Sequence, residues 1–247
     1  MDDVDDFEGQ AGRWDRWAPF YGRDSLSHLK SDEAVAALAA LAGDGPALEL
    51  GIGDGRLALP LARLGLRVDG LDASEQMIAR LHEQSVDLPV RARRADMACF
   101  DTTEQYPLVF VAASTLFMIG SQDRQVDCFR SAAAALTTRG RFVVEASTPA
   151  AVAGPPVVVR YVDDDHVRLT MQTHDLVGQR VVSQELQLAA DGRWRMLPAV
   201  RRYASPAELD LMAQLAGLRL SGRYGGWDKS PFIAANTRHV SIYTPVE

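Results

Sequence analysis

Cysteine, long apolar runs and grouped metal ligands are all scarce in this sequence, and each scarcity removes a class of protein. Cys99 and Cys128 are the only two cysteines among 247 residues. They stand far apart with no CxxC arrangement, which excludes a disulfide framework and fits a reducing, cytoplasmic compartment. No stretch of 18 apolar residues occurs, so no membrane-spanning helix is expected. The opening MDDVDDFEG is acidic and resembles neither a signal peptide nor an amphipathic transit helix. No repeat of fixed period is present. The histidines at 28, 82, 166, 174 and 239 are scattered, with no HExxH and no Cys/His cluster, and no metal is expected. The formal charge of -7 sets 33 acids against 26 Lys plus Arg, which works against a polyanionic partner. One basic patch, Arg91, Arg93 and Arg94, reads more simply as a solvated edge just before a strand, so no nucleic acid is expected.

What remains is an ordinary globular composition, 47% hydrophobic with 19 glycines and 12 prolines, sized for one large domain or one domain with an insertion. Residues 1–11 read as an acidic disordered leader. Residues 12–22 are aromatic, with Trp14, Trp17, Phe20 and Tyr21 at the spacing of a short helix with one sticky side. Helices are expected at 31–42, opened by Ser31 as N-cap, at 56–64, from Ser74 through Leu81, and at 122–137. Between them lie short apolar runs: ALEL, LRVDGLD, PLVFVA at 107–112, and RFVVEA. Strands alternating with helices of this length predict an α/β fold, with a mostly parallel sheet, helices on both faces, and a ligand site beyond the carboxyl ends of the strands.

After Pro149 the period changes to two. Val167, Leu169, Met171 and Thr173 alternate with Arg168, Thr170, Gln172 and His174. Residues 181–188 and 193–203 also read as extended, joined by an ADG turn at 190–192. Residues 156–204 are therefore expected to be antiparallel strands inserted after the fifth parallel strand, able to roof a pocket or meet a second subunit. Ser205-Pro206 then opens a helix, and two strands near 218–224 and 238–244 close the sheet. The expected domains are a core at 12–155, the insertion at 156–204, and a return to the core at 205–247.

The sharpest motif is Glu49-Leu50-Gly51-Ile52-Gly53-Asp54-Gly55, between a strand and a helix. Glycines there let a ligand touch bare backbone. The spacing is GxGxG, with Arg56 where a dinucleotide fingerprint needs a small residue. Glu49 would repel a diphosphate and attract an ammonium or sulfonium. Asp72 ends the next strand, where a carboxylate can accept from ribose hydroxyls; its plainer role is to cap residues 73–76. Asp96-Met97 offers an acceptor for an exocyclic adenine amine and a backbone N–H for a ring nitrogen.

ELGIGDG, VDGLDAS, RADM and LVFVAASTLFMI together resemble the class I S-adenosylmethionine-dependent methyltransferases, over about residues 12–150 and again over 203–244. The resemblance implies a Rossmann-like seven-stranded sheet and S-adenosylmethionine as cofactor. It implies the glycine loop (Gly51, Gly53, Gly55) under the methionine part, and Asp72 with its neighbours Ala73 and Met77 at the ribose. It further implies Asp96 and Met97 at the adenine, and backbone around Ala113 and Ser114 at the amino-acid end. The tail is similar to bacterial small-molecule N-methyltransferases of antibiotic and amino-sugar pathways.

Methyl transfer needs an aimed lone pair and a dry site. Trp17 and Tyr21 are candidates for a lid over the cofactor, Tyr21 with its phenol near the sulfonium; the plainer alternative is a helix glued to the core. His174, on an inserted strand, is the candidate base. Phe117, Trp227 and Asp228 are candidates for the acceptor cavity, against simple packing for Phe117 and a bland charged turn for the loop that carries the other two. The expected reaction is methylation of an amine on a small molecule. O-methylation, a nicotinamide dehydrogenase, a non-catalytic cofactor-binding protein and an RNA or protein methyltransferase are the alternatives. A homo-oligomer built on the inserted sheet is also open.

Overall fold

A computed structural model describes residues 7–21, 31–152, 154–162, 167–188 and 192–246. Its main sheet has seven strands in the order β3-β2-β1-β4-β5-β11-β10. These are β1 (Ala47–Leu50), β2 (Val68–Asp72), β3 (Val90–Arg94), β4 (Tyr106–Val111), β5 (Leu136–Ser147), β10 (Leu218–Tyr224) and β11 (Arg238–Pro245). The first five run parallel, and β11 is antiparallel to both β5 and β10.

Strand β4 shows why the sheet is covered on both sides. Leu108 and Phe110 point into one apolar cluster, with Leu38 of helix α2 (Ser31–Ala42) and Leu61 of α3 (Ala58–Arg63). Val109 and Val111 point into the other, with Phe129 of α5 (Gln122–Ala135) and Leu209 of α7 (Pro206–Leu215). All four strand residues are fully buried, so the continuous apolar run encodes a two-sided strand. Phe129 packs edge-on to Phe142 and Tyr243, at centroid distances of 5.1 and 5.6 Å.

Helix ends follow the sequence signals with small shifts. Ser74 caps α4 (Glu75–Gln84) by accepting from the Met77 N–H, and Ser205 caps α7 by accepting from Glu208. Ser31 is the first residue of α2 itself, and its hydroxyl accepts from Arg56. Helix α3 is shorter than expected, because Gly55, at φ +92°, still belongs to the loop. Arg91, Arg93 and Arg94 lie within β3, an edge strand, and not before a strand. The expected leader ends earlier than residue 11: helix α1 spans Phe7–Trp17. It is held there because Arg94 pairs with Glu8 at 2.7 Å and lies over the Phe7 ring. Residues 1–6 of that leader lie outside the described residues.

The insertion is a separate four-stranded antiparallel sheet, β6 (Val157–Val162), β7 (Val167–Asp175), β8 (Arg180–Leu188) and β9 (Trp194–Arg202), in that order. Of the expected ADG turn, Gly192 has φ +73°, and 190–191 lie outside the described residues. This sheet is polar on its inner face and apolar on its outer one. Thr170, Gln172 and Ser183 are buried, whereas Val159 is 62% and Met196 59% exposed. The inner face carries an Arg168–Glu185 ion pair at 2.6 Å and a bond from Arg160 Nε to the Thr170 hydroxyl. Its polarity suits a face turned toward the carboxyl edge of the main sheet instead of toward a hydrocarbon core.

Candidate active site

The carboxyl ends of β1, β2 and β4 open into a cleft of about 610 Å³, part of it open solvent, lined among others by Gly51, Gly53, Asp72, Asp96, Met97 and Thr115. The turn after β1 is tied to β2 by its backbone: the Gly51 and Ile52 N–H groups both donate to the Leu71 carbonyl, at 2.8 and 2.9 Å. Three glycines in this turn have positive φ for three different reasons. Gly51, at +76°, lies where a Cβ would stand 2.3 Å from Thr115 Cγ2. Gly53, at +56°, faces open space in the cleft, where a ligand can touch main chain. Gly55 does not line the cleft; a Cβ there would strike Leu81 and Leu59, so its freedom serves packing.

Gly51→Ala is therefore expected to cost about 2–4 kcal/mol through strain and collision. Adding Thr115→Ser removes the opposing methyl and should recover the collision part, leaving about 1–2 kcal/mol for the backbone. Denaturant unfolding of the four proteins measures both terms. Equal stability of Gly51→Ala and wild type would show the turn to be built otherwise.

Asp72 organises the loop before it can touch any ligand. Its Oδ2 accepts from the Gly53 N–H at 2.8 Å and its Oδ1 from the Ser74 N–H at 2.9 Å. Burial raises its pKa, and those backbone N–H groups pull the other way. A carboxylate has about four acceptor positions, so two remain for hydroxyl groups. The plain capping role and the ligand role therefore coexist. Asp69, one turn of the pleat back, accepts from the Tyr106 hydroxyl.

Glu49 stands on β1, 5% exposed, and its Oε2 has no hydrogen-bond partner among the described residues. Burial pushes its pKa up to about 8; Arg56 lowers it and Asp72 raises it further. Glu49 does not itself line the cleft; its carboxyl, with one oxygen unpaired, is costly to ionise there unless something cationic completes it.

The other wall is α1 with Tyr21. Asp15 accepts from Ser74 Oγ at 2.6 Å and from Gln76 N, which docks α1 on the start of α4. Arg80 donates to the Tyr21 carbonyl at 2.8 Å. Tyr21 lines the cleft, and burial with the nearby Asp54, Asp72 and Glu49 charges holds its phenol protonated. Trp14 lines the cleft as well and meets the Tyr21 ring edge-on at 6.0 Å. Trp17, expected at the cofactor, lies instead in a smaller adjoining cavity with Met118, Pro198 and Val200. The two residues share one face of α1, and it is the docking of α1 on α4 through Asp15 that leaves Trp14, not Trp17, in the cleft.

Asp96 lines the cleft with its carboxylate bonded to the Ala98 N–H and to Arg124, and Met97 lies beside it. Met77 closes the floor, and Ala73 the side. Ala113 is not a lining residue: its N–H donates to Glu145 Oε2 at 2.8 Å. Ala113 and Ser114 both adopt left-handed backbone, φ +55° and +62°. Glu145 and Ser147 of β5 hold them there, the Ser114 N–H donating to the Glu145 carbonyl and its Oγ accepting from the Ser147 N–H. Sequence reasoning missed this clamp, although a lone acid inside RFVVEA was its visible sign.

The acceptor candidates fare less well. Phe117 is 1% exposed in the apolar core; Thr115 and Met118, its neighbours in the same 3-10 turn (Thr115–Met118), line the cleft. Trp227 packs into the cluster around α2 and β4. Asp228 is exposed, and its Oδ1 accepts from the Ser230 N–H within its own turn. His174 does not line the cleft; it is half-buried on β7 opposite Val181, and neither ring nitrogen has a partner among the described residues. No group of His, Cys, Asp and Glu side chains able to hold a metal ion occurs among the described residues. Nor, among them, is any helix long and apolar enough to cross a membrane.

A family model for a methyltransferase domain matches residues 47–140, the stretch that builds the sheet side of this cleft. The solved structure of the CcbJ methyltransferase from Streptomyces caelestis is 34% identical, superposes with a TM-score of 0.89, and covers 98% of this chain and 100% of its own. The chain belongs to the class I S-adenosylmethionine-dependent methyltransferases. It is also similar to a cypemycin N-terminal methyltransferase from a Streptomyces species, 28% identical over 194 residues, covering 76% of this chain and 78% of the relative. A ubiquinone biosynthesis O-methyltransferase of Xanthomonas campestris is 30% identical over 167 residues, 65% of this chain and 67% of the relative.

The cofactor of this methyltransferase is S-adenosylmethionine, and the cleft fits it on its own chemistry. Its lining presents the bare main chain of Gly53, an Asp72 carboxylate with acceptor positions beyond its two hydrogen bonds, and Asp96 beside Met97.

Proposed function

We propose that this methyltransferase methylates an amine nitrogen of a small molecule, a natural-product intermediate, by in-line displacement. The bound sulfonium supplies an already activated methyl group. The chain's own work is to hold it, aim the acceptor lone pair and keep water out. In this reading Asp72 and the Gly51–Gly53 backbone hold the nucleoside, Glu49 anchors the charged end, and Tyr21 and Trp14 cover the cleft.

The observation that carries the amine reading is the sign of the charge beside the cleft. Asp54 and Asp72 act on the Tyr21 phenol, opposed by Arg56, and Glu49 adds to them once it ionises. Such a field draws in an amine in its cationic form and, once the nitrogen has given its proton to solvent and its lone pair attacks, stabilises the positive charge that passes from sulfur to nitrogen. Similarity to an N-terminal methyltransferase over three quarters of the chain supports the same choice. A panel of amine and hydroxyl acceptors with methyl-labelled cofactor tests it: label on nitrogen is expected, and label confined to oxygen overturns it.

One observation favours a second reading, O-methylation. It is the similarity to a ubiquinone biosynthesis O-methyltransferase over 65% of this chain. His174, outside the cleft with both ring nitrogens shielded, is not placed to take a hydroxyl proton, so His174→Gln should leave amine and hydroxyl methylation alike within about threefold of wild type; a loss of roughly 100-fold confined to hydroxyl acceptors would favour this second reading.

A further inference from the structure

We infer that the inner face of the inserted sheet holds a subsite for an oxyanion of the acceptor, a carboxylate or a phosphate, centred on Arg201 with Arg160 beside it. The inference deepens the amine reading and rests on it for the substrate: the acceptor is an amine that also carries an anionic group.

The register fixes the face. Arg201 of β9 stands opposite Val181, and Val181 opposite His174, so the three point the same way as the buried Gln172 and Ser183 in the next row. Among the described residues Arg201 pairs with no acid, and its Nε is shielded from water with no acceptor. Burial and the charge of Arg160 both push its pKa below the usual arginine range, with no carboxylate acting the other way. Arg168, on the same face, already has its acid in Glu185 at 2.6 Å. Arg160 gives its Nε to the Thr170 hydroxyl, a neutral partner. Two guanidinium groups that disturb one another, with no carboxylate between them, are costly to hold at a shielded face unless an anion completes them. Across Val181, both His174 ring nitrogens are shielded and unpartnered among the described residues, so a further N–H donor faces the same place.

The distance from the cleft sets the acceptor's length. Ala199, two residues back on the same face of β9, lines the small cavity that holds Trp17. Trp14 and Met118 line both that cavity and the cofactor cleft. Arg201 lies about 7 Å beyond Ala199 along the strand. An acceptor with its amine in the cleft can span the small cavity and set its oxyanion against Arg201. There the Nε–Nη edge of the guanidinium offers two parallel donors to a carboxylate or to two phosphate oxygens.

Thermal melting of the full chain tests the subsite with neither cofactor nor acceptor present. Acetate and inorganic phosphate are titrated separately from about 1 to 100 mM, replacing chloride at constant ionic strength. At least one should raise the wild-type melting temperature saturably, with half its effect at millimolar concentration, and which one does so separates carboxylate from phosphate. Arg201→Leu should move that half-effect at least about 10-fold upward. It should also melt above wild type in chloride alone, because an uncompensated shielded charge has gone; an arginine that merely holds the fold would give the opposite sign. Arg160→Gln, at an exposed side chain, should weaken the anion effect by about threefold. Calorimetry with S-adenosylhomocysteine should give wild-type affinity in both variants, showing that the cleft is intact. In methyl transfer the effective anion should raise the acceptor KM and leave kcat unchanged, in wild type and not in Arg201→Leu. No saturable effect of either ion on wild type overturns the inference, as does an equal effect on Arg201→Leu or an anion that binds yet leaves the acceptor KM unchanged. Label confined to oxygen overturns the amine reading instead, and the anion titrations do not depend on it.

Discussion

Exchanging Glu49 for glutamine should stabilise the cofactor-free protein at pH 8 while weakening its hold on S-adenosylmethionine roughly 100-fold. The two effects share one cause. In the folded chain Glu49 keeps its proton up to about pH 8, against 4.5 for an ordinary glutamate. Between those values the unfolded chain has lost a proton that the folded chain retains, so stability falls as pH rises and levels off above about 8. Glutamine has nothing to lose. The melting temperatures of wild type and Glu49→Gln should converge near pH 4.5 and separate toward pH 8, there by the equivalent of a few kcal/mol. A cationic ligand end favours the ionised carboxyl, so wild type should release protons on binding at pH 7, seen as a buffer-dependent calorimetric enthalpy that the variant lacks. Parallel pH profiles for the two proteins would refute this assignment.

Asp72→Ala should have the larger effect on affinity, about 1,000-fold, together with about 2–4 kcal/mol of lost stability. The alanine leaves the Gly53 and Ser74 N–H groups without their acceptor, and removes the remaining lone pairs that face the cleft. Asp72→Asn retains one acceptor oxygen and should fall between. Urea unfolding and equilibrium dialysis measure the two losses separately. Weak binding with wild-type stability would mean that the loop does not depend on this carboxylate, contrary to the hydrogen bonds it makes.

The parts of this molecule that rest on neighbours in sequence were readable before any coordinates. The parallel sheet, its closing hairpin, the insertion, the Ser74 and Ser205 caps, the glycine turn and Asp72 all depend on contacts over a few residues or on apolar periodicity. What escaped depends on long-range placement. Trp14 and Trp17 are chemically equivalent in a string of letters, and only the docking of α1 through Asp15, Glu8 and Phe7 decides which faces the cleft. Phe117 follows the strand as expected, but the 3-10 turn rotates it into the core and presents Thr115 and Met118. The alternation in β7 was plain, yet periodicity cannot say which face is inside; here the polar one is. The Glu145 clamp joins residues 32 positions apart, a distance at which no local pattern operates.

That clamp also bears on how a chain like this can change its acceptor over generations. Strand β5 grips the end of β4 through Glu145 and Ser147, and the Thr148 N–H is fastened to the Thr237 carbonyl immediately afterward. Everything from Pro149 to the start of α7 hangs beyond that fixed post. The insertion's last strand still reaches back: the Pro198 carbonyl accepts from Trp17 Nε1, and Arg202 is bonded to Gln125 and Glu208. A foreign insertion spliced in after Thr148 would therefore have to supply a matching final edge to keep α1 seated over the methyl-donor site.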